Sequence, residues 1–216
     1  MLDIDNISFD YNFNPQILSE AKKSKIYVID DFYKEPHNIA SFIYNTPKRV
    51  HKGDEHPSYN MLHFRDERHC LYSQKLNPLI KDIEDFTDTK FKDFNSGGNF
   101  FTNCQMWYDN QFNNFKDNYW WPHLDYGWTA IVYLNKDENS GTNLYEKSDD
   151  FYNQEKTKEH LEPWRSKDLW NKIYTIPSKY NRLVLFHAGD LFHGVDINSN
   201  IYSNNYRINQ VMFFEE

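Results

Sequence analysis

The chain has 216 residues, enough to bury the core of one ordinary domain and too few for two generous ones. Its formal charge is −8, with 32 acidic residues against 24 basic ones, and the basic residues are scattered, which excludes the phosphate-neutralising stripe of a duplex-binding protein. Aromatic residues make up 18% of the chain, so much of the interior must be flat rings with polar tips, which suits a wide barrel or sandwich better than a slim helical bundle.

Residues 25–32, KIYVIDDF, alternate and carry β-branched side chains, which predicts a strand; Pro36 then opens a helix with Ile39, Phe42 and Ile43 on one face. Over residues 74–86, Leu76, Leu79, Ile80, Ile83 and Phe86 keep helical spacing with charged residues between them, a second helix. Beyond Phe91 the helical signal stops. Strands are predicted over 99–108, 129–134, 182–186 and 206–214, punctuated by Gly97-Gly98, Gly141 and Gly189. Helices first and mainly antiparallel strands after predict an α+β domain with a β-sandwich or jelly-roll core. The expected division is one domain over 1–216, with helical support over 1–95 and the core over 96–216. Residues 146–172 are mostly charged with isolated Phe151, Tyr152, Trp164 and Trp170; loops of this length are often lids or binding loops, so a lid insertion, as a long loop or a short helix pair, is expected.

Cys70 and Cys104 make no CxxC pair and no disulfide framework, which fits a reducing compartment. No apolar run approaches the roughly 20 residues needed to span a bilayer. The opening MLDIDNISFDYNF lacks the basic-then-apolar order of a signal peptide, so a cytoplasmic protein with no membrane partner is expected.

In WPHLDYGW, His123 and Asp125 stand two residues apart, so on an extended strand both side chains leave the same face while Leu124 points away. One imidazole and one carboxylate can then reach one ion. The segment RLVLFHAGDLFHGVD supplies a third ligand in His193; His187 is the rival, but its backbone is expected to be still extended, as a packed and hydrogen-bonded histidine. Two histidines and one carboxylate on one face of a metal, with the opposite positions open, form the facial triad of non-haem iron oxygenases. Two open positions can take a bidentate 2-oxo acid and the last can take oxygen. Cysteines would give a softer site prone to zinc, and carboxylates alone would suit magnesium or calcium.

Arg207, 14 residues after His193 in YRINQVMFF, lies on a strand expected to return beside the metal strand, where its guanidinium can grip a carboxylate with two parallel hydrogen bonds. A buried arginine there lacks another obvious partner. It separates a 2-oxo-acid-dependent enzyme from a cupin-like metal protein working without a 2-oxo acid, which gives the arginine nothing to bind. A further reading is a binding module in which His123 and Asp125 are merely structural. His51, His56, His63 and His69 match no zinc spacing and are read as a solvated loop or substrate-side rim. Trp120 and Trp121 are read as core; Trp128, Tyr126, Tyr133 and Tyr145 sit nearer the pocket, with packing as the default role.

These residues resemble the iron(II) and 2-oxoglutarate-dependent dioxygenases with a double-stranded β-helix core, particularly the prolyl-4-hydroxylase-like branch. The likeness runs from HLD at 123–125 through AIVYLN at 130–135, GTNLY at 141–145 and FHAGDLFHGV to RIN, and the opening IYVIDDFYKEP is similar to the usual first strand and helix entry. The resemblance implies that His123, Asp125 and His193 bind Fe(II), that Arg207 binds the distal carboxylate of 2-oxoglutarate, and that Tyr108 touches the same cosubstrate. It also implies O2 as co-reactant, ascorbate as a supporting reductant, and hydroxylation of an unactivated C–H bond of a small-molecule or peptidyl substrate. Asn209 stands where the family's RxS pattern has Ser, and its amide can still donate a hydrogen bond to the cosubstrate; His187 stands where a Pro is usual.

Overall fold

The computed structural model describes residues 4–21, 24–45, 48–50, 62–64, 73–102, 115–136, 141–153, 164–197 and 206–216. In chain order the elements are β1 (Gln16–Ala21), β2 (Ser24–Ile29), α1 (Pro36–Asn45), β3 (Lys48–Val50), β4 (Leu62–Phe64), α2 (Asn77–Thr87), β5 (Asp93–Thr102), β6 (Asn118–Trp120) and β7 (Trp128–Tyr133). They continue with β8 (Thr142–Lys147), β9 (Trp164–Ser166), β10 (Trp170–Ile176), β11 (Arg182–His187), β12 (Phe192–Val195) and β13 (Tyr206–Glu215). The described strands form an eight-stranded sheet in the order β1-β2-β11-β7-β13-β5-β4-β3, a three-stranded sheet β10-β8-β12 and the pair β6-β9. Every pairing is antiparallel. The described residues therefore form mostly antiparallel β with two α-helices.

The large sheet is covered on both faces, which is why its central strands AIVY and LVLF read as unbroken apolar runs. Along β7, β11 and β13 successive residues divide by parity. Ala130, Val132, Leu183, Leu185, Met212 and Phe214 join Ile39, Phe42 and Ile43 of α1 and Leu79 and Ile83 of α2 in one core. Ile131, Tyr133, Val184, Phe186 and Val211 face the other way and meet Leu144 of β8 and Ile176 of β10. Helices thus back one face of the large sheet, and the small sheet covers the other. Asn181 pins the N-terminal segment to this frame: its Oδ1 accepts from the Tyr33 amide at 2.9 Å and its Nδ2 donates to the Tyr33 carbonyl at 2.8 Å. Its φ of +60° is a left-handed conformation that asparagine tolerates.

The strands expected over 129–134, 182–186 and 206–214 are β7, β11 and β13. Two expectations need correction. The strand expected over 99–108 begins at Asp93, and Gly97 and Gly98 do not interrupt it but pair with Val211 and Gln210; residues 103–108 lie outside the described residues. The N-terminal 95 residues contribute β1 to β4 to the large sheet as well as both helices. The described parts of 146–172 are the end of β8, a 3-10 turn over Asp149–Asn153, β9, a second turn over Lys167–Leu169 and the start of β10. Phe151, Leu169 and Trp170 pack there with Tyr145 and Phe192 on the outer face of the small sheet. Among the described residues no helix is long and apolar enough to cross a membrane.

Candidate metal centre

The layer between the large and small sheets carries polar groups at one end. His193 on β12 pairs with Leu144, which belongs to the inter-sheet core, and its ring lies 5.1 Å from that of Phe186. His123 is reached from β6 through Trp121, whose φ of +47° is left-handed and costs a non-glycine residue about 1–2 kcal/mol. The two histidines then exchange both backbone hydrogen bonds, His123 N–H to His193 O at 3.0 Å and His193 N–H to His123 O at 2.8 Å. The bridge brings their rings to 4.4 Å between centroids. Asp125 is held two residues on, where its N–H donates to Ala188 O at 3.3 Å. The turn closes at Gly127, whose φ is +72° and where a Cβ would stand 2.4 Å from Phe214 O.

The tautomers follow from the carbonyls. His123 Nδ1 lies 2.7 Å from Trp121 O, and His193 Nδ1 lies 3.1 Å from Leu191 O. A carbonyl only accepts, so each Nδ1 carries a proton, which leaves Nε2 as the nitrogen that can offer a lone pair to a metal. The His193 Nε2 stands 3.1 Å from Asp125 Oδ2 and the His123 Nε2 stands 3.6 Å from Asp125 Oδ1. Thr129 Oγ1 donates to Asp125 Oδ2 at 3.4 Å. Burial pushes the Asp125 carboxyl up, but the hydrogen bond and charge of His193, then the charge of His123 and the Thr129 hydroxyl, outweigh it and hold the carboxyl below its ordinary value. The Nε2 and Oδ atoms that meet here are the same atoms a shared cation would take as ligands.

One donor atom from each of His123, Asp125 and His193 lies within 4.8 Å of the other two, so the three can hold a metal ion. Two nitrogens and a hard oxygen without sulfur suit iron(II) and its neighbours rather than a structural zinc. The His193 side chain is 6% exposed against 35% for His123 and 19% for Asp125, so the cluster is walled behind His193 and open on the side of the other two.

Arg207 and Asn209 project from β13 into the same inter-sheet layer, sharing the parity of Val211, and are 5% and 1% exposed. Arg207 Nη1 donates to Asn209 Oδ1 at 2.7 Å, and its guanidinium lies over the Tyr133 ring at 5.7 Å. The arginine therefore has protein partners, which the sequence did not suggest. Tyr133, treated as packing, is itself polar-tipped: its hydroxyl shares a hydrogen bond with Thr142 Oγ1 at 2.8 Å. Thr129 and Tyr133 stand on one face of β7, about 13 Å apart along the strand, so the metal cluster and the arginine mark two ends of one row.

His187 takes the opposite parity from Phe186 and turns its ring to Trp128, 5.5 Å away on the helix-facing side. Its Nε2 is 3.2 Å from Glu216 Oε1. Its Nδ1 is 2.9 Å from Asp190 Oδ2, near enough for an ion pair though not aligned for a hydrogen bond. It is not among the convergent donors. Trp120 is buried against Trp164, Tyr145 is buried, and Tyr126 is 82% exposed. Tyr108, Cys70, Cys104, His51, His56 and His69 lie outside the described residues, and for His63 only the backbone is described.

Fold and cluster together define an antiparallel β protein with a two-histidine, one-carboxylate group between its sheets. No family model matches the chain, and no curated protein matches it. Among solved structures it is similar to an oxidoreductase of the 2OG-Fe(II) oxygenase family from Burkholderia pseudomallei, with a TM-score of 0.50 at 14% identity over 88% of this chain and 84% of that one. A prolyl-4-hydroxylase from Pseudomonas putida gives a TM-score of 0.45 at 13% identity over 88% of this chain and 86% of that one. The chain thus shares the fold found in 2OG-Fe(II) oxygenases.

Proposed function

We propose that this protein is an Fe(II)- and 2-oxoglutarate-dependent oxygenase on a double-stranded β-helix, or jelly-roll, core, and that it hydroxylates an unactivated C–H bond of a small-molecule or peptidyl substrate. The observation that carries this reading is the convergence of His123 Nε2, Asp125 and His193 Nε2 at one end of a layer that holds buried Arg207 at the other. Iron(II) bound there supplies the chemistry in which O2 oxidises both 2-oxoglutarate, to succinate and carbon dioxide, and the substrate, to its alcohol.

The protein's own part is ligation, orientation and exclusion of water. His123, Asp125 and His193 would hold the ion, and the ionised Asp125 would offset part of its charge. A dicarboxylic 2-oxo acid that chelates a metal through one end keeps a second carboxylate, whose burial is costly without a partner. Arg207 is that partner. Asn209 Oδ1, accepting from Nη1, and the Tyr133 ring beneath the guanidinium fix the direction of its remaining donors. Phe186, Leu144, Ile131 and Val211 supply the dry walls. Tyr108 remains a proposed contact of the cosubstrate.

The cupin-like alternative keeps the metal ligands but gives Arg207 no carboxylate, so a titration separates the two. 2-Oxoglutarate added to the manganese-loaded, oxygen-inert protein is expected to bind. Arg207→Met should weaken it by roughly tenfold to a hundredfold, as expected for losing charge-assisted hydrogen bonds worth about 1.5–3 kcal/mol each. Manganese binding should persist. Equal affinity in wild type and variant removes the cosubstrate from the reading and leaves the metal site alone.

A further inference from the structure

Beyond the three donors, the backbone around them carries a second requirement, at the residue that follows His193. A Cβ on Gly194 would stand 2.4 Å from Trp120 O and 3.0 Å from Trp121 O. No side chain fits there without moving backbone, because both obstacles are main-chain oxygens. β12 therefore rests directly on the peptide groups of Trp120 and Trp121. The same Trp121 carbonyl receives the His123 Nδ1 proton at 2.7 Å, and Trp121 is held in a left-handed conformation to present it. One residue away, the reciprocal His123–His193 bridge sets the separation of the two rings.

Resting on the reading of His123, Asp125 and His193 as metal ligands, we infer that Gly194 is a positioning residue of the metal centre: its missing side chain lets β12 clamp the Trp120–Trp121 backbone, which fixes the tautomer of His123 and its distance from His193. Any larger residue at 194 pushes the Trp121 carbonyl away from Nδ1. The His123 ring is then free to rotate or to take its proton on Nε2, and Nε2 no longer offers its lone pair to a metal. The glycine acts through the carbonyl and the bridge and touches neither metal nor substrate. Gly189 is the natural control. A Cβ there meets Cε1 of His187 at 3.1 Å, a side-chain atom that can yield, rather than backbone.

Cobalt(II) is the probe, titrated anaerobically into the full chain and read by calorimetry and by its visible ligand-field bands. Wild type and Gly189→Ala are expected to bind one ion with the same spectrum. Gly194→Ala should bind roughly tenfold to a hundredfold more weakly, the usual loss on disturbing groups that orient a metal ligand, with shifted bands. Nitrogen–proton correlation spectra of the metal-free wild type should show a proton on Nδ1 of His123. Gly194→Ala should lose that state at His123. Wild-type affinity and bands in Gly194→Ala overturn the inference, and so does a wild-type His123 without a proton on Nδ1, even if the variant fails to fold. A wild type that binds no cobalt defeats the metal-site reading instead, while the tautomer measurement still reports on the clamp.

Discussion

The two faces of β13 share one backbone and one register yet perform different work. Towards the helices, Ile208, Met212 and Phe214 lie in a core whose buried polar group is satisfied within the protein: Gln210 accepts from Tyr33 Oη at 2.8 Å and donates to Ser96 Oγ at 2.9 Å. Towards the small sheet, Val211 shares its face with Arg207 and Asn209, in a layer that also holds His193 and, at its edge, Asp125. A polar chain closed on itself adds specificity to a core. The polar groups on the other face are the ones the proposed metal and cosubstrate would use. The difference is made by parity alone, because a one-residue slip of β13 would exchange the two faces.

The largest expected effect tests the open end of that polar row. Asp125→Ala and His193→Ala should each lower iron(II) affinity by more than roughly a hundredfold, beyond the ten- to hundredfold typical of losing an outer-shell partner, since an open three-ligand site has no spare donor. His187→Ala, on the opposite face, should leave affinity within a fewfold, as read by anaerobic titration. The comparison between the faces breaks if His187→Ala abolishes binding while His193→Ala does not.

How far the sequence revealed this division depends on the residue. The apolar runs mark the central strands and the HLD spacing marks His123 and Asp125, although these two lie between β6 and β7 rather than on the expected strand, His123 making only an isolated bridge to His193. His193 is separated from His187 by the expectation that the chain is still extended at 187, and β11 does run through His187, whose ring turns to Trp128. Gly97-Gly98 misled, since glycine usually ends strands and here it sits within one, opposite Val211 and Gln210. Tyr133 is legible as a residue near the pocket but only as packing, because its polar contacts are with Arg207 and Thr142. Gly194 could not be read at all, because the carbonyls that demand it come from residues 120 and 121.

A smaller effect tests the closed face. Leu185 is fully buried on the helix-facing side, so Leu185→Ala should cost about 2–5 kcal/mol through lost transfer energy and the cavity left behind. Urea unfolding measures it. Cobalt affinity of the folded fraction should stay within a fewfold of wild type, since Leu185 points away from the inter-sheet layer. A tenfold fall in affinity alongside the stability loss would show that the two faces are mechanically coupled and that the division by parity is too simple.

The smallest effect separates two arginines that approach the same layer with different partners. Arg207 is buried against an amide and an aromatic ring, whereas Arg182 at the rim, 13% exposed, holds a carboxylate: its Nε donates to Asp30 Oδ1 at 2.6 Å and its Nη2 to Asp30 Oδ2 at 3.1 Å, with Lys179 Nζ 2.9 Å from the same Oδ2. The hydrogen bond from Arg182 holds the Asp30 carboxyl below its ordinary value, desolvation opposes this, and the Lys179 hydrogen bond and the two positive charges reinforce it. A carboxyl whose pKa is lower folded than unfolded binds protons more readily in the unfolded chain. Its stabilisation is therefore full well above the unfolded value near 3.9 and fades as the pH falls through the lower folded value. Because the Asp30 side chain is 36% exposed, solvent screening keeps the contribution small, and Asp30→Asn should cost at most about 1 kcal/mol at pH 7. The gap between wild type and variant should narrow in urea unfolding as the pH falls below the unfolded value and through the lower folded one, where both states carry the proton. A gap that stays constant across that range would mean the residue acts through packing rather than charge. Metal and 2-oxoglutarate affinity should be unchanged throughout, because this pair closes the rim and leaves the polar row to Arg207.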